Sequence, residues 1–565
     1  MKKTLIIIVF FAFFVSITIA QKSPYKINKE LVTDSAMVVS AHPLASEAGK
    51  EILKKGGNAI DAMVAVHFVL AVVYQRAGNI GGGGFLLYRD AKGGKYALDF
   101  REKAPLAAKR DMYLDTQGKA IDSLSRDGHL AVAVPGSVAG IFEAHLKYGK
   151  LPWADLIEPA IYWAKKGFLL TEKEADILNA YRNDFKKLNH YLPVFYNKNP
   201  WKKGDRIVQK DLAQTLTRIQ KQGAEGFYKG KTAELIEAEM IKGKGILTLE
   251  DLAAYQPVWR KPIEFTYRNQ YNIITMPPSS SGGVILAEMM QMAENYPLAK
   301  MEYHAVSSTH LMAEIEKRAY ADRSQHLGDT DFYPSPVEAL LEKTYAKSRM
   351  SDFSYQKATA SQDIKPGQPS KTSEQTTHYS ILDKEGNAVA VTTTVNNNFG
   401  SRVVVQHGGF ILNNEMDDFS AKPGSPNLFG LIGAEANAIA PSKRMLSSMT
   451  PTLVEKDKQL FLVLGTPGGS TITTTIFQVL TQLIDYNFSL FDAIQNPRFH
   501  HQWLPDRIDF EKDCFSIETQ KKLQEMGHQL REREPIGRVD AIQVLPNRKK
   551  IGVGDRRGDD SASGY

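Results

Sequence analysis

The chain has 565 residues, of which 43% are hydrophobic and 24% charged, a formal net charge of +7 and one cysteine, Cys514. Such a composition suits an ordinary globular protein with ample core material, and the length admits several domains. The lysines are scattered, with no basic stripe interleaved with aromatics, which argues against a nucleic-acid partner; a lone cysteine excludes an intramolecular disulfide, a cysteine metal cluster and CxxC redox chemistry.

Lys2 and Lys3 precede an apolar run from Leu5, broken by Ser16 and Thr18, that ends at Ala20 before Gln21-Lys22-Ser23-Pro24. A basic start, an apolar middle and a small residue at the boundary describe a secretory signal peptide over residues 1–20. The expected product is exported, periplasmic or secreted, with no stable membrane anchor. A run of about 18 apolar residues can also span a bilayer, but the interruptions and the small-residue end favour cleavage after Ala20.

Helices are predicted over 46–55 and 58–74, the second apolar nearly all round and therefore interior. It runs into Ala77-Gly78-Asn79-Ile80-Gly81-Gly82-Gly83-Gly84-Phe85. A phosphate loop would need Gly-Lys-Ser/Thr opening a helix, whereas a strand over 85–88 follows, so close backbone packing explains these glycines better. A further strand over 96–100 ends at Arg101-Glu102. An arginine fork at a strand end can hold a carboxylate at two points; a surface or ion-paired arginine is the alternative. Gly128-His129-Leu130 and Val134-Pro135-Gly136-Ser137-Val138-Ala139-Gly140 read as scaffold, and mixed-charge helical sequence fills 151–256.

Residues 376–396 read as a β-hairpin, with two runs rich in Val, Ile, Tyr and Thr around Asp383 to Asn387 and Gly386 able to supply a positive φ. A three-residue loop pairs Asp383 with Asn387 and sets Thr376 opposite Thr394, which gathers Thr376, Thr394 and Asn396 on one face. A two-residue loop would turn Thr394 and Asn396 to the other face. A threonine hydroxyl is a poor nucleophile unless a base such as its own α-amine activates it. That reading requires cleavage between Gln375 and Thr376; otherwise these are ordinary sheet threonines. The polar stretch 361–373 lies just upstream, where a loose segment would let new chain ends part.

A strand is predicted over 409–412, opening into Asn413-Asn414-Glu415-Met416-Asp417-Asp418. Carboxylates this close repel unless solvated or matched by a cation, so either a solvated loop or a site for a substrate ammonium is read. Ser447-Ser448 fit a turn. Strand 460–464 leads through Gly465-Thr466-Pro467-Gly468-Gly469-Ser470 into a helix over 471–485. Glycines before a helix can present backbone N–H groups to a developing oxyanion; a plain tight turn is the other reading. His500-His501 is no metal motif, since adjacent residues seldom face one ligand.

Taken together, the 77–85 block, the Arg101 strand end, the hairpin, the 413–420 loop and the serine and glycine pairs closely resemble the gamma-glutamyltransferase (gamma-glutamyl transpeptidase, glutathione hydrolase) family. The resemblance covers nearly the whole chain after its first few dozen residues. It implies an α/β fold, a four-layer αββα sandwich of the N-terminal nucleophile hydrolase type. It also implies self-cleavage into a large subunit, 21–375, and a small subunit, 376–565, that remain together as a heterodimer within one intertwined catalytic domain. Under that resemblance Thr376 is the nucleophile, Thr394 and Asn396 position its amine, and Gly468 and Gly469 form the oxyanion hole. Arg101, Ser447 and Ser448 hold the donor's α-carboxylate, and Asp418 and Glu415 its α-amine. Donors are glutathione and other gamma-glutamyl compounds, acceptors are water, amino acids or peptides, and no cofactor or metal is needed. Two departures from the family pattern are Phe429, where some members carry a tyrosine on a covering loop, and Met445, where proline is common. A glutaryl-type acylase of the same superfamily is the nearest rival, and an inactive exported binding protein a more distant one.

Overall fold

The computed structural model describes residues 23–367, 377–422 and 435–565. The signal segment, Gln375, Thr376 and Phe429 fall outside the described residues.

Alternation of side chains along the strands builds the layers. In Met37–Ser40, Met37 and Val39 face one core and Val38 another; in Gly83–Arg89, Phe85 and Leu87 part from Leu86 in the same way. The inner residues meet Ile274, Leu453, Val463 and Ile542 of a second sheet. The outer residues meet helices, among them Pro43–Lys54 and Ala59–Val73. On the far side of the second sheet, Gly282–Glu294 and Thr471–Ile484 cover Ile273, Val454, Leu462 and Leu464. The order of layers is thus helix, sheet, sheet, helix, the four-layer sandwich that the family resemblance implied.

Both principal sheets have seven strands. One runs Ser561–Gly564, Met37–Ser40, Thr377–Leu382, Ala388–Thr394, Gly83–Arg89, Lys95–Phe100, Val258–Arg260. The other runs Glu30–Thr33, Lys550–Gly554, Asp540–Val544, Gln459–Gly465, Thr452–Lys456, Tyr271–Thr275, Ile263–Tyr267. Each sheet mixes strands from before and after position 376, so the ladder hydrogen bonds join the two parts of the chain along their length.

The hairpin occupies the middle of its sheet. Leu382 pairs with Ala388 and Thr377 with Thr393, and the Asp383 N–H donates to the Asn387 carbonyl at 3.1 Å. The loop is therefore the three-residue one, with Gly386 at φ +96°. This is the first of the two registers read from the sequence, and the strand ends at Thr394.

The sequence expectations hold for the buried second helix, whose fifteen residues are all buried, and for the strand-to-helix turn before Thr471. One fails. Residues 409–412 form no strand; Gly409 has φ +74° and only an isolated bridge joins Ile411 to Val404. The apolar run Phe410-Ile411-Leu412 packs as buried loop, its polar groups met by Val403, Val405 and Ser401 backbone.

Candidate active site

Asn79 organises the far end of the hairpin. Its side-chain amide donates to the Thr394 carbonyl at 2.9 Å and to Thr393 Oγ1 at 3.2 Å, while its oxygen accepts the Gly82 N–H at 2.9 Å and the Ser137 hydroxyl at 2.6 Å. A side chain at Gly82 would collide with the Thr394 carbonyl, which is why the glycine run follows Asn79. The close backbone packing expected of the 77–85 glycines and the scaffold reading of the 134–140 block meet here, through Gly82 and Ser137. Thr394 Oγ1 in turn accepts the Asn396 N–H at 2.6 Å, and Asn396 donates to the Asn414 carbonyl at 3.0 Å. Asn396 sits at φ +71°, a left-handed conformation that asparagine tolerates better than most residues.

Asn413 and Asn414 fasten the acidic turn beside it. Asn413 donates to the Gly81 and Ala133 carbonyls, each at 2.9 Å, and accepts the Glu415 N–H at 3.0 Å. Glu415–Asp418 is a single 3-10 turn, fully buried, so the solvated-loop reading is excluded. The matching cation is Arg101 of the same chain. Its guanidinium pairs with Glu415, with Asp418 at 2.8 Å and with Glu102 at 3.1 Å, and its Nε donates to the Met445 carbonyl at 3.3 Å. Arg101 and its three carboxylate partners are wholly buried.

One guanidinium cannot ionise three buried carboxyls. Burial, reinforced by repulsion from Glu415, raises Asp418 and Glu102 well above the ordinary carboxylate range. Burial also raises Glu415, to about 7, against the opposing pull of Arg101. For Arg101 burial works against the charge, but Glu415, Glu102 and Asp418 outweigh it. Glu102 Oε1, Glu415 Oε2, Asp418 Oδ1 and Asn396 Oδ1 are buried acceptors with no hydrogen-bond partner among the described residues. Unpaired acceptors of this kind are costly, and an ammonium group would satisfy them.

Ser447 and Ser448 follow Met445, whose carbonyl Arg101 holds, by two and three residues. The Ser447 N–H donates to the Ser279 carbonyl at 2.9 Å, and Ser447 Oγ accepts the Met449 N–H at 3.0 Å. Ser448 Oγ accepts from Arg323 at 2.8 Å. Sequence reading missed Arg323. It is 1% exposed, its Nε and Nη1 have no hydrogen-bond partner among the described residues, and burial lowers it to about 9, opposed by Tyr320 and Asp418. Its helix, Val306–His326, is rich in charged residues, and every residue from Ser308 to Ser324 is buried. Glu102 was also passed over as a site residue; only its place beside Arg101 could have signalled it.

Gly468 and Gly469 end the turn before Thr471–Ile484, at φ +146° and +64°. Neither amide N–H finds an acceptor among the described residues, which leaves two donors at the positive end of a helix. A Cβ at Gly468 would stand 2.5 Å from Thr471 Oγ1. Gly468→Ala is therefore expected to move these donors and, on the oxyanion reading of the sequence, to lower kcat by about 10²- to 10³-fold, the usual cost of a lost oxyanion donor. A steady-state assay of the folded variant with wild-type-like kcat would remove the glycine pair from the chemistry. His500 is structural: its Nδ1 meets Thr474 Oγ1 at 2.8 Å within the core.

Residues 45–565 match the family model described as Gamma-glutamyltranspeptidase. A relative named glutathione hydrolase proenzyme, from Escherichia coli K12, is 46% identical over 534 residues, 94% of this chain and 92% of its own length. Among solved structures, Helicobacter pylori gamma-glutamyltranspeptidase is 48% identical with a TM-score of 0.57, covering 58% of this chain and 94% of that one. A cephalosporin acylase from Bacillus halodurans is 27% identical with a TM-score of 0.84, covering 96% and 98%.

Proposed function

The chain belongs to the gamma-glutamyltranspeptidase family, and from that premise we propose how its residues divide the work of a self-processing glutathione hydrolase and gamma-glutamyltransferase. The observation that carries the reading is the buried Arg101–Glu415–Asp418 cluster, one cation against two acids that retain unpaired oxygens. An α-amino acid head group is its complement. Its carboxylate takes Arg101, Ser447 and Ser448 as donors, and its ammonium takes Asp418 and Glu415.

In the precursor the Thr376 hydroxyl attacks the Gln375 carbonyl, and water opens the resulting ester. This frees an α-amine whose reference pKa of about 7.7 to 8.0 suits a general base. In turnover the same hydroxyl attacks the gamma-amide carbonyl, held near it by the anchored head group. Gly468 and Gly469 donate to the oxyanion, and the amine, positioned by Thr394 and Asn396, carries the proton to the departing amine. Water or an amino acid or peptide acceptor then removes the glutamyl group. Interleaving of the two sheets supports the view that subunits 21–375 and 376–565 stay joined as a heterodimer after the cut. The signal segment supports export to the periplasm or medium; among the described residues no helix is long and apolar enough to cross a membrane.

Comparison of gamma-glutamyl with glutaryl anilide separates this reading from the acylase one. A glutaryl group has no α-amine and would leave Glu415 and Asp418 unmatched, so gamma-glutamyl turnover is expected to be favoured by about 10²-fold or more in kcat/KM. Equal turnover would overturn the head-group assignment. The donor's ammonium needs ionised carboxylates, so its KM should fall by about tenfold as the pH rises from about 6 to about 8, and Glu415→Gln should flatten that profile. Stability has the opposite sign. Folded Glu415 keeps its proton up to about 7 where the unfolded group releases it near 4.5, so this contribution is complete below 4.5 and lost as the pH rises toward 7.

A further inference from the structure

Asn437 is wholly buried at the end of the 3-10 turn Glu435–Asn437, and it touches both halves of the proposed head-group site. Its side-chain amide donates to the Asp418 carbonyl at 2.6 Å, and its side-chain oxygen accepts the Leu446 N–H at 3.0 Å. Asp418 belongs to the half read as binding the donor's ammonium. Leu446 lies in the half read as binding its carboxylate, between Met445, whose carbonyl Arg101 holds, and Ser447. A carbonyl only accepts and an N–H only donates, so the two partners fix which end of the amide faces which. An aspartate of the same shape would set an oxygen against the Asp418 carbonyl, and a leucine would leave both backbone groups unmet.

The backbone around this bridge is itself braced. The Asn437 carbonyl accepts the Ser420 N–H at 2.9 Å. The buried Lys443 amine donates to the Ala436 and Ala438 carbonyls at 2.7 and 3.0 Å, one on each side of Asn437. The Lys443 carbonyl accepts the Ala104 N–H at 2.8 Å, which ties the same support to the chain just past Arg101. A ligand anchored at two points is selected by the span between its anchors, and a misplacement of about 1 Å at one of them costs much of the orientation that binding supplies. From this geometry we infer that Asn437 is a positioning residue that sets the span between the ammonium and carboxylate anchors, and so makes the enzyme select donors that carry both groups of an α-amino acid. This rests on the head-group reading above. Asn437 acts through the backbone of Asp418 and Leu446, not on the donor directly.

Asn437→Ala removes both bonds, and gamma-glutamyl and glutaryl anilides are the probes. A glutaryl group reaches only the carboxylate anchor, so it is blind to the span. In the variant, kcat/KM for gamma-glutamyl anilide should fall about tenfold further than for glutaryl anilide, the worth of one charge-assisted hydrogen bond that the ammonium no longer reaches, with most of the extra loss in KM. A variant that melts lower and loses both activities in step would show an asparagine that only supports the fold, and would overturn the inference. Asn437→Gln keeps a donor and an acceptor on a stem one methylene longer. It should fold and cut as wild type does, yet lose about threefold of the preference for the gamma-glutamyl probe, and it decides the matter should Asn437→Ala remain uncut. Failure of Asn437→Gln to cut, or an unchanged preference in it, would equally count against the span. A wild type with no preference for gamma-glutamyl anilide would instead overturn the head-group reading itself.

Discussion

Thr376→Ala is expected to run as one full-length band on a denaturing gel and to release no glutamate from gamma-glutamyl substrates, beside a wild type that gives two bands and turns over. The two defects share a cause. A methyl group cannot attack the Gln375 carbonyl, so no new chain end forms, and it cannot later accept the glutamyl group. Loss of a covalent nucleophile leaves only what binding and oxyanion donors supply, so the drop in kcat should reach the detection limit. N-terminal sequencing of the smaller wild-type fragment should begin at Thr376. A single uncut band from fully active wild type would refute self-cleavage, and a fragment beginning elsewhere would move the nucleophile.

Arg101→Ala should be the most damaging substitution on the donor side. It leaves Glu102, Glu415 and Asp418 buried without their cation, and breaking a buried pair from one side typically costs about 3–5 kcal/mol. The missing cation also lets burial push the three carboxyls further up, so the melting temperature should drop more at about pH 8 than at about pH 5, where protonation relieves the repulsion. Arg101→Lys separates stability from recognition. It keeps a charge but not the two-point fork, so the melt should recover in large part while kcat/KM for the donor stays down by about 10²-fold. Wild-type kinetics in Arg101→Lys would show that the donor's carboxylate is held elsewhere, with Ser447, Ser448 and Arg323 the groups to test next.

Much of the catalytic half could be read along the chain because its signals are local. The hairpin follows from strand composition around Gly386, its two registers differ by one residue, and Gly468-Gly469 before a helix is a contiguous pattern. Family blocks at 77–85 and 134–140 were legible for the same reason, although their purpose was not: Asn79 reaches across to Thr394 only in the folded sheet. Hydropathy failed where context overrode it. Phe410-Ile411-Leu412 is apolar enough for a strand yet packs as buried loop. The charged helix Val306–His326, for which no sequence expectation was drawn, sits inside with ion pairs such as Glu314 with Lys317 and Arg318.

By itself the sequence determined the chemistry available, a threonine poised at a strand start, an arginine, clustered acids and a glycine pair, since each is written in neighbouring residues. Only the tertiary structure decided that Arg101 would face Glu415 and Asp418 from more than three hundred positions away and that Arg323 would stand behind Ser448. Burial and charge balance are properties of what surrounds a group in space, and no local pattern carries them.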